Sequence, residues 1–149
     1  MCMKEPLIIR KPLSKEDFQK MYDLRWRVLM KPLNKTSESD KDNIDTESYP
    51  FIVTLNEKIV AFARFHKISE KEGQIRDLAV EEDYRNERIG SILMRYIEGF
   101  AVSLGIKTIT LYTTKTIKEF FQKLDYKTRG KGPLLCDETE QITMMKTLN

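Results

Sequence analysis

Apolar positions along this chain change their period several times, and the changes mark out its elements. Leu7-Ile8-Ile9 is a short apolar run closed by Lys11-Pro12 and reads as a strand. Ser14 follows as an N-cap with Asp17 three residues on. Phe18, Met21, Tyr22, Arg25, Val28 and Leu29 then recur at helical spacing until Pro32. Residues 33–49 are rich in Ser, Thr, Asp and Asn, which predicts a long loop of the kind that often carries function. Segments 51–55 and 58–69 flank Asn56-Glu57 and predict a β-hairpin, and 70–73 turns into a strand over 74–80.

The second half continues the alternation. Ile89, Ile92, Leu93, Tyr96, Ile97, Phe100, Ala101 and Leu104 form a helical stripe, and Gly105 supplies its stop. Residues 107–113 (KTITLYT) read as a strand by β-branched and aromatic content. Thr116 then looks like a cap, with Ile117, Phe120, Phe121 and Leu124 on one helical face. Segments 126–132 and 141–148 close the chain as a strand pair. The order β-α-loop-β-β-β-α-β-α-β-β predicts a mixed α/β (α+β) fold, read as a single domain over 1–149.

Charge narrows the function classes. The 149 residues carry 26 basic and 23 acidic side chains, a net charge of +3. The two signs are interleaved without a block of five, so no nucleic-acid face is expected. No stretch approaches the ~18 apolar residues of a membrane span. The N-terminus lacks the apolar run of a secretory signal, so a cytoplasmic location is expected and no membrane partner. Cys2 and Cys136 match no metal spacing, and neither a disulfide nor a metal site is expected. Cys136 is a candidate thiol on sequence position only.

The run from Ile75 to Met94 (IRDLAVEEDYRNERIGSILM) carries the most chemistry. It reads as a buried strand, an acidic turn, a basic turn with a glycine, and the start of an apolar-periodic helix. The first amides of a helix have no internal acceptor, and the dipole adds positive charge there, so such a junction can hold a pyrophosphate. The chain has neither GxxxxGK[ST] nor GxGxxG, which excludes a P-loop and a dinucleotide fingerprint. A phosphorylated cofactor held by backbone amides is the expectation.

Arg85-Asn86-Glu87-Arg88-Ile89-Gly90 resembles the Q/R-x-x-G-x-G/A signature of the GNAT superfamily of acetyl-CoA-dependent N-acetyltransferases. Arg85 and Gly90 match, while Arg88 stands where the family usually has a glycine. Leu78-Ala79-Val80 with Glu81-Glu82 and Tyr84-Arg85 resembles the family's strand-to-loop entry. Phe120-Phe121-Gln122-Lys123-Leu124-Asp125-Tyr126 resembles its FYEKLGF helix end. Leu24 to Leu29 with Pro32-Leu33, and Met144-Met145-Lys146, resemble the ElaA-like branch.

The resemblance implies a mostly antiparallel central sheet flanked by helices, with a bulged strand over 74–80 that splays from the strand at 107–113. It implies acetyl-CoA as acyl donor and no metal. Backbone groups of Leu78, Ala79 and Val80 would pair with the pantetheine arm, as a peptide adds to a sheet edge. Arg85, Asn86, Glu87, Arg88, Ile89, Gly90 and Ser91 would take the pyrophosphate, and Thr114 and Phe121 would also border the cofactor. The Leu78 amide would polarise the thioester carbonyl. The acceptor is expected to be a primary amine of a small molecule or peptide, attacking directly in a ternary complex. A homodimer is left open.

The departures are as informative. Phe121 sits where relatives place a tyrosine acid and has no proton to give; its other reading is a core aromatic. Arg88 adds a cation to the phosphates, projects into solvent, or fails to adopt the glycine's dihedrals. Gln74 and Arg76 stand at the positions where relatives aim a base, and neither is one; both are candidates for the acceptor site instead. His66 and Asp77 are the remaining base candidates, each with a bland structural alternative. Arg25 and Trp26, on the first helix, are candidates to read the acceptor, or they simply pack. A rival from another class is a GNAT-fold module that binds CoA or acyl-CoA without turnover.

Overall fold

The computed structural model describes residues 6–33, 48–85, 88–135 and 139–148. Most of the expected 33–49 loop lies outside these, as do Cys2, Cys136, Asn86 and Glu87. The elements follow the expected order: β1 (Leu7–Arg10), α1 (Lys15–Arg25), β2 (Tyr49–Leu55), β3 (Lys58–Lys67), β4 (Glu72–Val80), α2 (Ile89–Ser103), β5 (Thr108–Thr113), α3 (Lys118–Gln122), β6 (Lys127–Lys131) and β7 (Ile142–Thr147). They build a seven-stranded sheet of order β1-β2-β3-β4-β5-β7-β6. The pairs β1–β2, β2–β3, β5–β7 and β6–β7 are antiparallel, and β4–β5 is parallel. This is the mixed, mostly antiparallel sheet with flanking helices that the sequence implied.

The chain resolves into two compact units. The first comprises the N-terminal part through Phe65 together with Asp77–Ile97; the second comprises His66–Arg76 and the chain from Glu98 onward.

In the first unit α1 starts where the sequence said it would. Asp17 N–H donates to Ser14 Oγ at 3.0 Å, and the Asp17 carboxylate accepts from the Ser14 and Leu13 amides, a complete capping box. Arg10 adds two bonds to that carboxylate, at 2.7 and 3.1 Å. Pro32 does not end the helix outright. The last regular turn passes into a π-helical turn, Trp26–Met30, and then a 3-10 turn, Lys31–Leu33. The Asn56-Glu57 hairpin forms with both residues at positive φ, 52° and 66°, the handedness that matches strand twist. Met21, Leu24, Ile52, Ile59, Phe62 and Ala79 pack as one core cluster. Residues Val60 to Phe65 of β3 are all buried, so both faces of this strand are covered.

Three expectations need correction. The buried stripe of α2 is Ile89, Leu93, Met94, Ile97 and Ala101, while Ile92 and Tyr96 are 41% and 47% exposed. The buried face is thus turned toward Met94, and Tyr96 keeps an edge-on contact with Phe51 at 5.6 Å between ring centroids. Thr116 does not cap α3: Ile117 holds the N-cap position without a side-chain bond, and Thr116 Oγ1 lies 2.9 Å from Thr114 Oγ1 instead. Strand β4 begins at Glu72, because Gly73 pairs with Ile109 of β5 and the turn closes earlier, with Ile68 N–H bonded to the Glu72 carbonyl.

In the second unit α2 ends in a Schellman motif. Gly105, at φ 84°, donates to the Val102 carbonyl and Ile106 to that of Ala101, each at 3.0 Å.

The Arg10 guanidinium, and then the Leu13 amide, hold the Asp17 carboxyl well below the usual carboxylate range. Its contribution is therefore complete above the unfolded carboxyl's pKa of about 4 and fades as pH falls toward the folded value. Asp17→Asn should cost about 1 kcal/mol at pH 7 in urea unfolding, with the deficit shrinking below pH ~4. A deficit that stays constant down to pH ~3 would contradict this account.

Candidate functional site

The junction of β4 and α2, all within the first unit, is built residue by residue from backbone geometry. Glu81 N–H donates to the Val60 carbonyl at 2.8 Å and fixes the strand's exit. A 3-10 turn, Glu82–Tyr84, follows, held by Tyr84 N–H to the Glu81 carbonyl at 2.9 Å. Lys58 Nζ lies 5.4 Å over the Tyr84 ring. Arg85 folds back, its Nε donating to the Val80 carbonyl at 3.2 Å. Its side chain thus braces the loop from within, and one lone pair of a carbonyl expected to face the cofactor is already engaged.

Arg88 resolves one open alternative from the sequence. It adopts φ 64°, the left-handed conformation that a glycine would take there. Its carbonyl accepts the first bond of α2, from Ile92 N–H at 2.9 Å. The amides of Ile89, Gly90 and Ser91 therefore have no intrahelical carbonyl ahead of them, and the helix dipole places positive charge at the same end. The Arg88 side chain is exposed and makes no ion pair among the described residues. Amide donors with Arg88 beside them are a donor set that suits a diphosphate. Among the described residues no group of three or more His, Cys, Asp or Glu is placed to hold a metal. None of the described helices is long and apolar enough to cross a membrane.

Upstream in β4 stands a cluster the sequence did not predict. Asp77 has φ 60° in mid-strand. Arg64 Nε donates to its Oδ2 at 2.6 Å, and Arg25 Nη1 lies 3.5 Å from the same oxygen. The two arginine side chains are 2% and 1% exposed. The Arg25 guanidinium sits 4.9 Å over the Tyr22 ring and 5.9 Å over Phe62. Arg25, expected at the acceptor, is thus an inward-facing partner of Asp77. Asp77, expected as a base, has an oxygen committed to Arg64. Leu78 and Val80 are half-buried and Ala79 is buried. Trp26 is partly buried, with Lys31 Nζ 5.7 Å over its ring. Its neighbour Arg27 bonds Asp23 at 2.7 Å and Glu81 at 2.6 Å, tying the end of α1 to the exit of β4. A groove of about 380 Å³ lined by Lys20, Asp23, Arg27, Glu57, Lys58 and Glu81 lies here. Several of its charges are spent on one another.

The second unit holds the other expected site residues. Gln74 is buried and pairs with Thr110, the last register of the β4–β5 pairing; Arg76 and His66 are half-buried. Phe121 is 6% exposed, with Phe120 and Tyr126 edge-on at 5.0 and 6.0 Å, so it serves as a core aromatic. Thr114 bonds Thr116. Tyr126 donates to Glu98 Oε2 and Lys146 to Glu98 Oε1, both at 2.9 Å. Burial first, and then the Glu98 charge, push the Tyr126 hydroxyl far above its ordinary value. This buried triad also escaped sequence reading. Glu98 sits beside Ile97 on the apolar side of α2, and that placement was the available signal.

The sequence matches the acetyltransferase (GNAT) family over residues 18–126, most of the chain. The chain belongs to that family. Solved structures repeat the fold. A GNAT family acetyltransferase from Elizabethkingia anophelis with acetyl-CoA bound aligns with a TM-score of 0.80 at 16% identity, over 95% of this chain and 98% of that one. An aminoglycoside 6'-N-acetyltransferase complexed with coenzyme A gives 0.78 at 20%, over 94% and 96%. The ribosomal-protein-S18-alanine N-acetyltransferase from Escherichia coli gives 0.74 at 19%, over 97% and 95%.

The left-handed Arg88 sets a testable order of stabilities. Arg88→Gly should be more stable than Arg88→Ala by about 1 kcal/mol, since alanine keeps the backbone strain and glycine does not. Urea unfolding checks it, and alanine as the more stable variant would overturn the assignment.

Proposed function

We propose that the chain is an acetyl-CoA-dependent N-acetyltransferase acting on a primary amine of a small molecule or peptide. The observation that carries this reading is the left-handed Arg88 at the entry of α2 in a chain of the GNAT family, a conformation that glycine adopts readily. The amides of Ile89, Gly90 and Ser91, with Arg88 beside them, would hold the diphosphate of acetyl-CoA. Asn86 and Glu87, which precede Arg88 in sequence, are candidates on the family resemblance alone. Backbone groups of Leu78, Ala79 and Val80 would align its pantetheine arm. When bound, acetyl-CoA supplies an activated acyl carbon. The Leu78 amide would donate to the thioester oxygen, a type of contact worth about 3 kcal/mol.

An amine held beside that carbon would attack directly. His66, the single histidine of the sequence, remains the candidate to accept its proton, and Gln74, Arg76, Trp26 and Thr114 remain candidates for contact with the ligands. Phe121 has no proton to donate, so the leaving thiolate would depart without a general acid or take its proton from water. The matches at residues 24–29 and 144–146 favour the ElaA-like branch. The absence of an acid at Phe121 is also what favours a second reading, a CoA-binding module without turnover.

Amine-dependent release of free CoA thiol separates the two. Aminoglycosides, polyamines, amino acids and alanine-containing peptides form the panel, since proteins of similar fold are an aminoglycoside 6'-N-acetyltransferase and a ribosomal-protein-S18-alanine N-acetyltransferase. At least one amine should raise thiol release about tenfold or more over acetyl-CoA alone. Thermal stabilisation by CoA with no amine-dependent release would sink the enzyme reading and leave the binding module.

A further inference from the structure

Mid-strand residues of β4 should be extended, yet Asp77 lies at φ 60°. A single left-handed residue in a strand makes a bulge and turns the following amide out of the ladder's direction. Asp tolerates that conformation better than most residues but does not seek it within a strand. What holds it is the carboxylate, bonded to Arg64 Nε at 2.6 Å and ion-paired with Arg25 at 3.5 Å. Both guanidiniums are themselves almost wholly buried. Arg64 lies within the buried run of β3, and Arg25, at the end of α1, has the Tyr22 and Phe62 rings 4.9 and 5.9 Å from its guanidinium. The bonded carboxylate therefore pins the backbone from two neighbouring elements, one residue before Leu78.

We propose that Asp77, clamped by Arg64 and Arg25, is a positioning residue that holds the β4 kink and thereby aims the Leu78 amide. Its catalytic consequence rests on the acetyltransferase reading above; the clamp itself does not. Asp77 acts through the backbone of its neighbour and not as a proton acceptor, so an uncharged side chain of the same shape can replace it. Asparagine keeps an oxygen for Arg64 Nε and tolerates the same φ. Alanine keeps neither property. Glycine keeps the φ but loses the clamp.

The test compares Asp77→Asn, Asp77→Ala and Asp77→Gly. The first readout is the Leu78 amide of the ligand-free protein, by its NMR shift and hydrogen exchange. The second is CoA and acetyl-CoA affinity, and the third is kcat and KM with an amine found active. Asp77→Ala should shift the Leu78 amide, speed its exchange about tenfold or more, and lower kcat by about 10²-fold while CoA affinity changes little. Asp77→Asn should restore most of what alanine loses. Asp77→Gly accepts the backbone conformation freely, so it keeps the clamp testable if Asp77→Ala does not fold, and it should show the same faster exchange.

An unchanged Leu78 amide in both the alanine and glycine variants would overturn the proposal. So would an asparagine variant with a native Leu78 amide and activity as low as alanine's, since that outcome makes the carboxylate itself the chemical group. A shifted amide in a protein whose wild type turns over no amine would support the clamp and count against the acetyltransferase reading alone.

Discussion

The bond between the Asp77 carboxylate and the Arg64 guanidinium holds a strand in a shape that its own residues do not favour. Left-handed backbone at a non-glycine residue costs of the order of 1–3 kcal/mol and persists only where the surroundings over-determine it. Here the surroundings are two arginines drawn almost wholly out of water. Burying a guanidinium is tolerable only when it is paired and its flat faces are covered. Arg25 meets both conditions, with Asp77 at its edge and aromatic rings beside it. A lysine could not reproduce this, because it lacks both the planar face and the fork. Removing Asp77 would leave two buried cations without that partner, the costly way to break a buried ion pair. The cluster therefore ties α1, β3 and β4 to one another and to the kink.

Asp77 and Arg88 are two left-handed non-glycine residues that bracket the proposed acyl and diphosphate positions. From Asp77 to Arg85 the chain is held by the bond from Glu81 to Val60 of β3, the 3-10 turn, and Arg85 back to Val80. Left-handed backbone thus redirects the chain at two positions where neither residue is a glycine. Arg88 in that conformation lets α2 begin at Ile89, with the Arg88 carbonyl accepting from Ile92 N–H, and a helix N-terminus is where an anion finds free amides.

Much of this was legible in the sequence because the signals were local. The Ser14–Asp17 capping box, the Asn56-Glu57 hairpin and the Gly105 stop each depend on neighbours within a few residues, and each formed. The strand–turn–helix junction from β4 to α2 was legible for the same reason. The clamp was not, because Asp77 meets a partner 13 residues away and another on α1, and no periodicity links them. Arg25 fell on the helical stripe with Met21, Tyr22 and Val28, which was the one available hint of burial. The α2 stripe misplaced Ile92 and Tyr96 because apolar residues cover more of that helix than the core can bury. Glu98, whose polar head hid it from a hydrophobic count, sits inside with Tyr126 and Lys146.

Titration of the ¹⁵N-labelled protein with coenzyme A, followed through the backbone amides, tests the central claim most directly. The account expects the Ile89, Gly90 and Ser91 amides to shift together and saturate, with Leu78 and Val80 moving in the same titration. Saturable binding that leaves the Ile89, Gly90 and Ser91 amides unmoved would contradict it, because the cofactor would then be held somewhere other than the start of α2.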